Sequence, residues 1–165
     1  MSEQFLDRLA RADVSVEELE KHIGRTYVVD RAIAACPIST QQLLLNLAQS
    51  IDRDTRQNVV CNARTPADVL ISLAAEFPAE FFAHPLLDLM ILEDPQILTR
   101  LEPGILNSFL GDPGCPNSFI RWACRYGYRA DQLTILRRTD LSVDRLRIIA
   151  RGPHAKPAEQ AMDRL

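Results

Sequence analysis

Long apolar runs, paired cysteines and clustered histidines are all missing from this chain. No stretch approaches the ~20 apolar residues that a membrane-spanning helix needs. The strongest candidate, residues 86–92 (LLDLMIL), is interrupted by Asp88 and followed at once by Glu93 and Asp94. The opening MSEQFLDRLARAD carries acids where a signal peptide has its apolar core. The expected setting is therefore the cytoplasm, with no membrane partner. Cys36, Cys61, Cys115 and Cys124 form no C-x-x-C pair, and disulfides are not expected in a reducing compartment. Cys61 and Cys124 read instead as small buried apolar groups. His22, His84 and His154 lie far apart, without the spacing of a metal site. No Gly-rich phosphate loop, nucleophile elbow or H-E-x-x-H helix occurs. The expectation is a protein that is not an enzyme and uses no cofactor or metal.

Glycine (6 residues) and aromatics (6%) are also sparse beside a hydrophobic fraction of 47%, which suits a Leu/Ala-rich helical protein. A length of 165 residues allows one compact domain or one short repeat array. Residues 59–74, VVCNARTPADVLISLA, decide between them. They read as the end of one helix, a polar turn, and the start of another. With Thr65 as N-cap and Pro66 at the first helical position, Leu70, Leu73 and Ala74 fall on one stripe of the second helix. Val59 and Val60 close the first.

The same template fits elsewhere. From Thr40 it finds Leu44, Leu47 and Ala48, with Ile33 and Ala34 before the turn; from Pro116, Ile120, Ala123 and Cys124, with Phe109 and Leu110 before it. From Ser142 it finds Leu146, Ile149 and Ala150, with Ile135 and Leu136 ahead. A weaker copy begins at Ser15, where Leu19 and Ile23 keep the stripe and His22 takes a core slot. Starts at 15, 40, 66, 116 and 142 imply a period near 25 residues and one unit concealed between 66 and 116. Residues 95–101 are the candidate. Helix–turn–helix content at such a period predicts an all-α solenoid, in which each unit buries its apolar face against its neighbours.

Residues 32–48 (AIAACPISTQQLLLNLA) and 59–74 resemble the bacterial leucine-rich repeat variant. Its unit reads roughly Ala-Val-Ala-x-Asn-Pro-x-Thr-Pro-x-x-x-Leu-x-x-Leu-Ala. Asn62, Thr65, Pro66, Leu70, Leu73 and Ala74 match it, as do Ala32, Ala34, Pro37, Leu44, Leu47 and Ala48. The resemblance is good over about 31–81 and partial elsewhere. It implies a right-handed superhelix of short paired helices, akin to HEAT arrays, and carries no catalytic residues with it. The expected organisation is a single domain over 1–165. It comprises a cap and weak unit at 1–30, clear repeats at 31–81, an irregular middle at 82–115, further repeats at 116–152 and a tail at 153–165.

Two local features qualify that frame. Residues 77–85 (FPAEFFAHP) bracket Phe81 and Phe82 with prolines, which forbid one regular helix there; the phenylalanines are expected to plug the core. Turn signals at 93–95, 102–104 and 111–114 cut the following stretch into short helices. The tail past Arg151 reads as turn-rich, ending in a frayed helix.

Charge is distributed unevenly. Residues 1–114 hold 9 Lys+Arg against 17 Asp+Glu, a net of −8, and residues 115–165 hold 10 against 5, a net of +5, together the stated −3. Arg121 and Arg125 stand at i, i+4, as do Arg147 and Arg151, with Trp122, Tyr126 and Tyr128 nearby. Arginines interleaved with aromatics bind phosphates and stack on bases, so nucleic acid is one reading. Against it stands an overall pI near 5.6. An acidic protein partner, head-to-tail self-association and a solvated face are the others. Trp122 with Asp131 or Asp140 has the residue types of base-excision chemistry, but nothing in their spacing demands it. The candidate binding residues are Arg121, Arg125, Arg137, Arg138 and Arg147, with Trp122 and Tyr126. The expected role is a protein-binding scaffold whose second helices line the contact face; nucleic-acid binding by the same arginines is the alternative.

Overall fold

The computed structural model describes residues 2–11 and 13–165, with Ser2 and Glu3 described in their backbone alone. Among them the chain is all-helical, with no strand. The helices are α1 Ser2–Ala10, α2 Val16–His22, α3 Tyr27–Ala35, α4 Gln41–Leu47, α5 Arg53–Cys61, α6 Ala67–Leu73 and α7 Pro78–Phe82. After them come α8 Leu87–Glu93, α9 Pro103–Gly111, α10 Asn117–Arg125, α11 Arg129–Leu136, α12 Val143–Ala150 and α13 Ala155–Met162, with a 3-10 turn at Ile97–Arg100. None is long and apolar enough to cross a membrane. The chain folds as two compact units, Met1–Leu86 and Leu87–Leu165. A sequence reading of one domain does not mark that division, which falls inside the stretch 82–115.

Within each unit, alternate helices pack on each other. In the first, α1 packs on α3, α3 on α5 and α5 on α7; in the second, α9 packs on α11 and α11 on α13, while α8 packs on α10 and α10 on α12. Local chemistry starts and stops these short helices. Ser15, Thr26, Thr40, Asp52 and Ser142 are N-caps whose side chains accept from the backbone N–H three residues on. Ser15 and Glu18 complete a capping box. Gly24, at φ 79°, turns the chain after α2 where a Cβ would be strained. The stripe positions are buried as the template requires: Leu44, Leu70, Ile120 and Leu146 are all core residues. Each contributes on the order of 1.5–3 kcal/mol by leaving water.

The turns repeat one backbone arrangement. Cys36 N–H donates to Ile33 O and Ser39 N–H to Cys36 O. Asn62 and Thr65 do the same with Val59 O and Asn62 O, and Asp112 and Cys115 with Phe109 O and Asp112 O. Thr65 is not an N-cap, contrary to its expected role. Its hydroxyl points inward and donates to Val59 O (2.5 Å), as that of Ser39 does to Ile33 O (2.6 Å). The Val59 carbonyl near the end of α5, which also accepts from Asn62 N–H, takes the Thr65 hydroxyl, and the N-terminus of α6 at Pro66 has no side-chain cap.

A second set of bonds ties each turn to an earlier one. Asn62 Nδ2 donates to Ala34 O (2.7 Å) and Cys36 O (3.0 Å). His84 Nε2 lies 3.2 Å from Asn62 O. In the second unit an Arg138 terminal nitrogen donates to Pro113 O (3.0 Å), and one of Arg164 to Arg138 O (2.9 Å).

Residues 95–101, the candidate for a concealed unit, contain a 3-10 turn at Ile97–Arg100 with Ile97 and Leu98 buried. Pro78 opens α7 at its first position. The bond between His84 and Asn62 spans 22 residues, fewer than the 25-residue period of the template.

Phe77 and Phe81 fill the core there, and Phe82 is half-buried. His22 is half-buried and stacks on Phe5 at 4.0 Å. Cys124 is buried as expected, but Cys61 is exposed, since it is the last residue of α5 and follows the buried Val59–Val60 pair. The tail is a packed helix and not a frayed one: α13 buries Pro157 and Ala161 against α11 and α12, and Arg164 donates to Leu136 O and Arg138 O.

Two predictions follow from these links. Asn62→Ala leaves Ala34 O and Cys36 O without their amide donor and should lower stability by about 1–3 kcal/mol in urea denaturation. The second concerns Asp52. It accepts from Arg31 Nε (2.8 Å) and a terminal Arg31 nitrogen (2.6 Å), and from the Thr55 N–H and hydroxyl. The Arg31 bond first, and the Thr55 hydroxyl next, hold its carboxyl well below the usual range. A depressed carboxylate stabilises the fold above its unfolded pKa of about 4 and loses that contribution as pH falls toward the folded value. Asp52→Asn should therefore flatten the loss of stability below about pH 4, measured as urea midpoints across an acid series.

Candidate functional site

Helix α10, NSFIRWACR, divides its residues cleanly. Phe119, Ile120 and Ala123 are fully buried, and Trp122 is 4% exposed. Arg121 and Arg125, four residues apart, stand exposed on the other side. The Trp122 indole N–H donates to Pro95 O at 2.6 Å, which fixes the ring against the segment just past α8. Between α8 and α10 runs a groove of about 210 Å³. Ile91, Leu92, Pro95 and Trp122 supply apolar lining, Arg121, Arg125 and Tyr126 stand on the α10 side, and Asp88 on the α8 side. The Arg125 guanidinium carbon is 5.3 Å from the centre of the Tyr126 ring, a cation–π distance. Leu92 is 77% exposed, so its apolar surface faces water until something covers it.

A second groove, of about 410 Å³, lies between α10 and the end of α12. Arg125 lines it too, together with Cys124, Ile148 and Arg151. Gly127, in the turn after α10, permits this layout, because a Cβ there would meet Ala123 O at 2.7 Å.

The sequence-predicted residues thus separate. Arg121, Trp122, Arg125 and Tyr126 come together. Arg147 is exposed on α12, one terminal nitrogen 3.5 Å from Asp144, and Arg137 is exposed at the end of α11. Arg138 is a structural residue. Its side chain is 3% exposed, it binds both oxygens of Asp140 (3.1 and 2.8 Å), and it donates to Pro113 O. Arg145 is similarly engaged with Asn117 Oδ1 and Cys115 O. Among the described residues, Arg121, Arg125 and Arg151 make no ion pair.

Asp88, Leu92 and Pro95 were not anticipated. The signal was present in LDLMILE, which holds more large apolar residues than one buried stripe of a seven-residue helix can hide.

The carboxylates that would serve base excision are engaged elsewhere. Asp131 is buried and accepts from Tyr128 N–H (2.6 Å), and Asp140 is held below the usual range by Arg138. Burial pushes the Cys115 thiol up to about 12 and that of Cys124 to about 11, which disfavours the thiolate in both. Compared with protein-family models, curated proteins and solved structures, the chain gives no match.

The arginines should sort in a stability experiment as they do in space. Arg138→Ala should lower stability by about 2 kcal/mol, through the lost bonds to Asp140 and Pro113 O. Arg121→Glu with Arg125→Glu should stay within about 0.5 kcal/mol of the parent, since neither guanidinium bridges to another element. Thermal or urea unfolding of both variants checks the contrast.

Proposed function

We propose that this chain is a non-enzymatic helical-repeat protein, of the leucine-rich repeat variant type, that binds another protein through the second helices of its C-terminal units. The observation carrying this reading is the α8–α10 groove, an apolar floor beside two guanidinium groups that make no ion pair among the described residues. Desolvated apolar floors with arginine and aromatic anchors are where protein interfaces concentrate their binding energy.

Register supports the assignment to the second helices. The template places Leu45, Ile71, Arg121 and Arg147 at one position of α4, α6, α10 and α12, and Gln49, Ala75, Arg125 and Arg151 at the position four residues on. The first two copies are neutral and the last two basic at both positions. The basic charge therefore does not come with the repeat, and a ligand is a reason for it. The superhelical stacking of the units belongs to the same proposal and rests on the repeated turn bonds and on packing between alternate helices.

Nucleic acid is the competing ligand, favoured by the Arg125–Tyr126 contact and by Tyr128, which is 81% exposed. The overall charge of −3 weighs against it. Affinity capture from the native cell lysate, with and without nuclease, tests the choice. A protein that is retained after nuclease and lost with Arg121→Glu and Arg125→Glu together is the expected result. Recovery of nucleic acid, with binding that falls steeply with salt, overturns the reading.

A further inference from the structure

We infer that the partner segment is an acidic peptide in an extended, polyproline-like conformation, lying across α8, α10 and α12 with an apolar residue in the Trp122 groove and carboxylates three residues apart on the arginines. This rests on the protein-binding reading above and adds the chemistry of the partner. Its ground is charge complementarity at a defined spacing.

A ligand that crosses the helices from α8 toward α12 meets the apolar groove first. It then meets α10, whose Arg125 lines both grooves, and next the second groove, which Ile148 and Arg151 also line. Arg121 and Arg125 extend the charge along α10, and Arg147 and Arg151 along α12, in matching register. The step between neighbouring packed helices is about 8–10 Å. A polyproline-like chain rises about 3.1 Å per residue and turns once every three residues, so side chains three apart share a face and lie about 9 Å from one another. A β-strand places same-face groups about 7 or 13 Å apart, which fits the step less well. Preformed extended segments also lose little conformational freedom on docking. Asp88, on the α8 side of the first groove, disfavours a carboxylate there and so orients the peptide, with its apolar anchor over α8 and its acids over α10 and α12.

Trp122 is the only tryptophan of the chain and lines the first groove, so its fluorescence reports occupancy directly. The probes are synthetic proline-rich peptides. One carries a leucine followed by glutamates three and six positions later; a second has the same composition with the glutamates adjacent; a third has glutamines in their place. The first should perturb Trp122 fluorescence and bind about tenfold more tightly than the second, and the third should not bind. Arg151→Gln should erase the tenfold advantage, bringing the affinity for the first peptide down to that for the second.

Equal affinity for both acidic spacings, lost in both cases with Arg121→Glu and Arg125→Glu, overturns the spacing but leaves the protein-binding groove standing. Binding by none of the peptides overturns the inference, and the protein-binding reading then stands or falls on lysate capture alone. A single-stranded oligonucleotide that quenches Trp122 through the same arginines, in place of the peptides, overturns both. Circular dichroism of each variant confirms that its fold is intact.

Discussion

Peptide groups stranded at helix ends are the constraint on which everything else in this protein depends. An α-helix leaves four N–H groups and four carbonyls without internal partners, and the helices here run from five residues in α7 to nine in α3. In elements this short, terminal groups make up about half or more of the backbone polar groups, and the buried turns shield many of them from water. The side chains answer with a division of labour. Hydroxyls of Ser39 and Thr65 bond back to the helix they have just left. Asn62, His84, Arg138 and Arg164 reach the backbone of another turn. The polar groups of the turn thus serve packing as well as local geometry.

That constraint also explains how the arginines divide. Arg31, Arg56, Arg138, Arg145 and Arg164 each join one helix to another element, through a carboxylate or a stranded carbonyl. Arg121, Arg125 and Arg151 have no such engagement and border the two grooves. A basic C-terminal stretch in sequence is in three dimensions a mixture of structural cations and available ones. Only the second group carries the argument about a ligand.

The helical class and the buried stripe were legible in the sequence because apolar spacing and cap residues are local signals; Leu44, Leu70, Ile120 and Leu146 show it. The link from His84 to Asn62 was hidden because it spans 22 residues, and a template with a fixed period near 25 cannot follow a shortened interval. Thr65 was misassigned because two backbone groups compete for its hydroxyl, and only tertiary structure decides between them. At the site, Arg121, Trp122, Arg125 and Tyr126 were readable from one helix. Asp88, Leu92 and Pro95 come from another, and their approach to Trp122 follows from packing that no single segment encodes. Arg138 and Arg137 are neighbours in sequence with opposite environments, a difference that composition cannot reveal.

The turn-to-turn bonds carry a further consequence for how the chain acquires its structure. They join residues 22 to 28 positions apart, so each requires the closure of only a short loop. Folding rates fall as the mean sequence separation of native contacts grows. Bonds of this span keep that separation low within each unit, so ordering can begin at one pair of turns and spread to its neighbours.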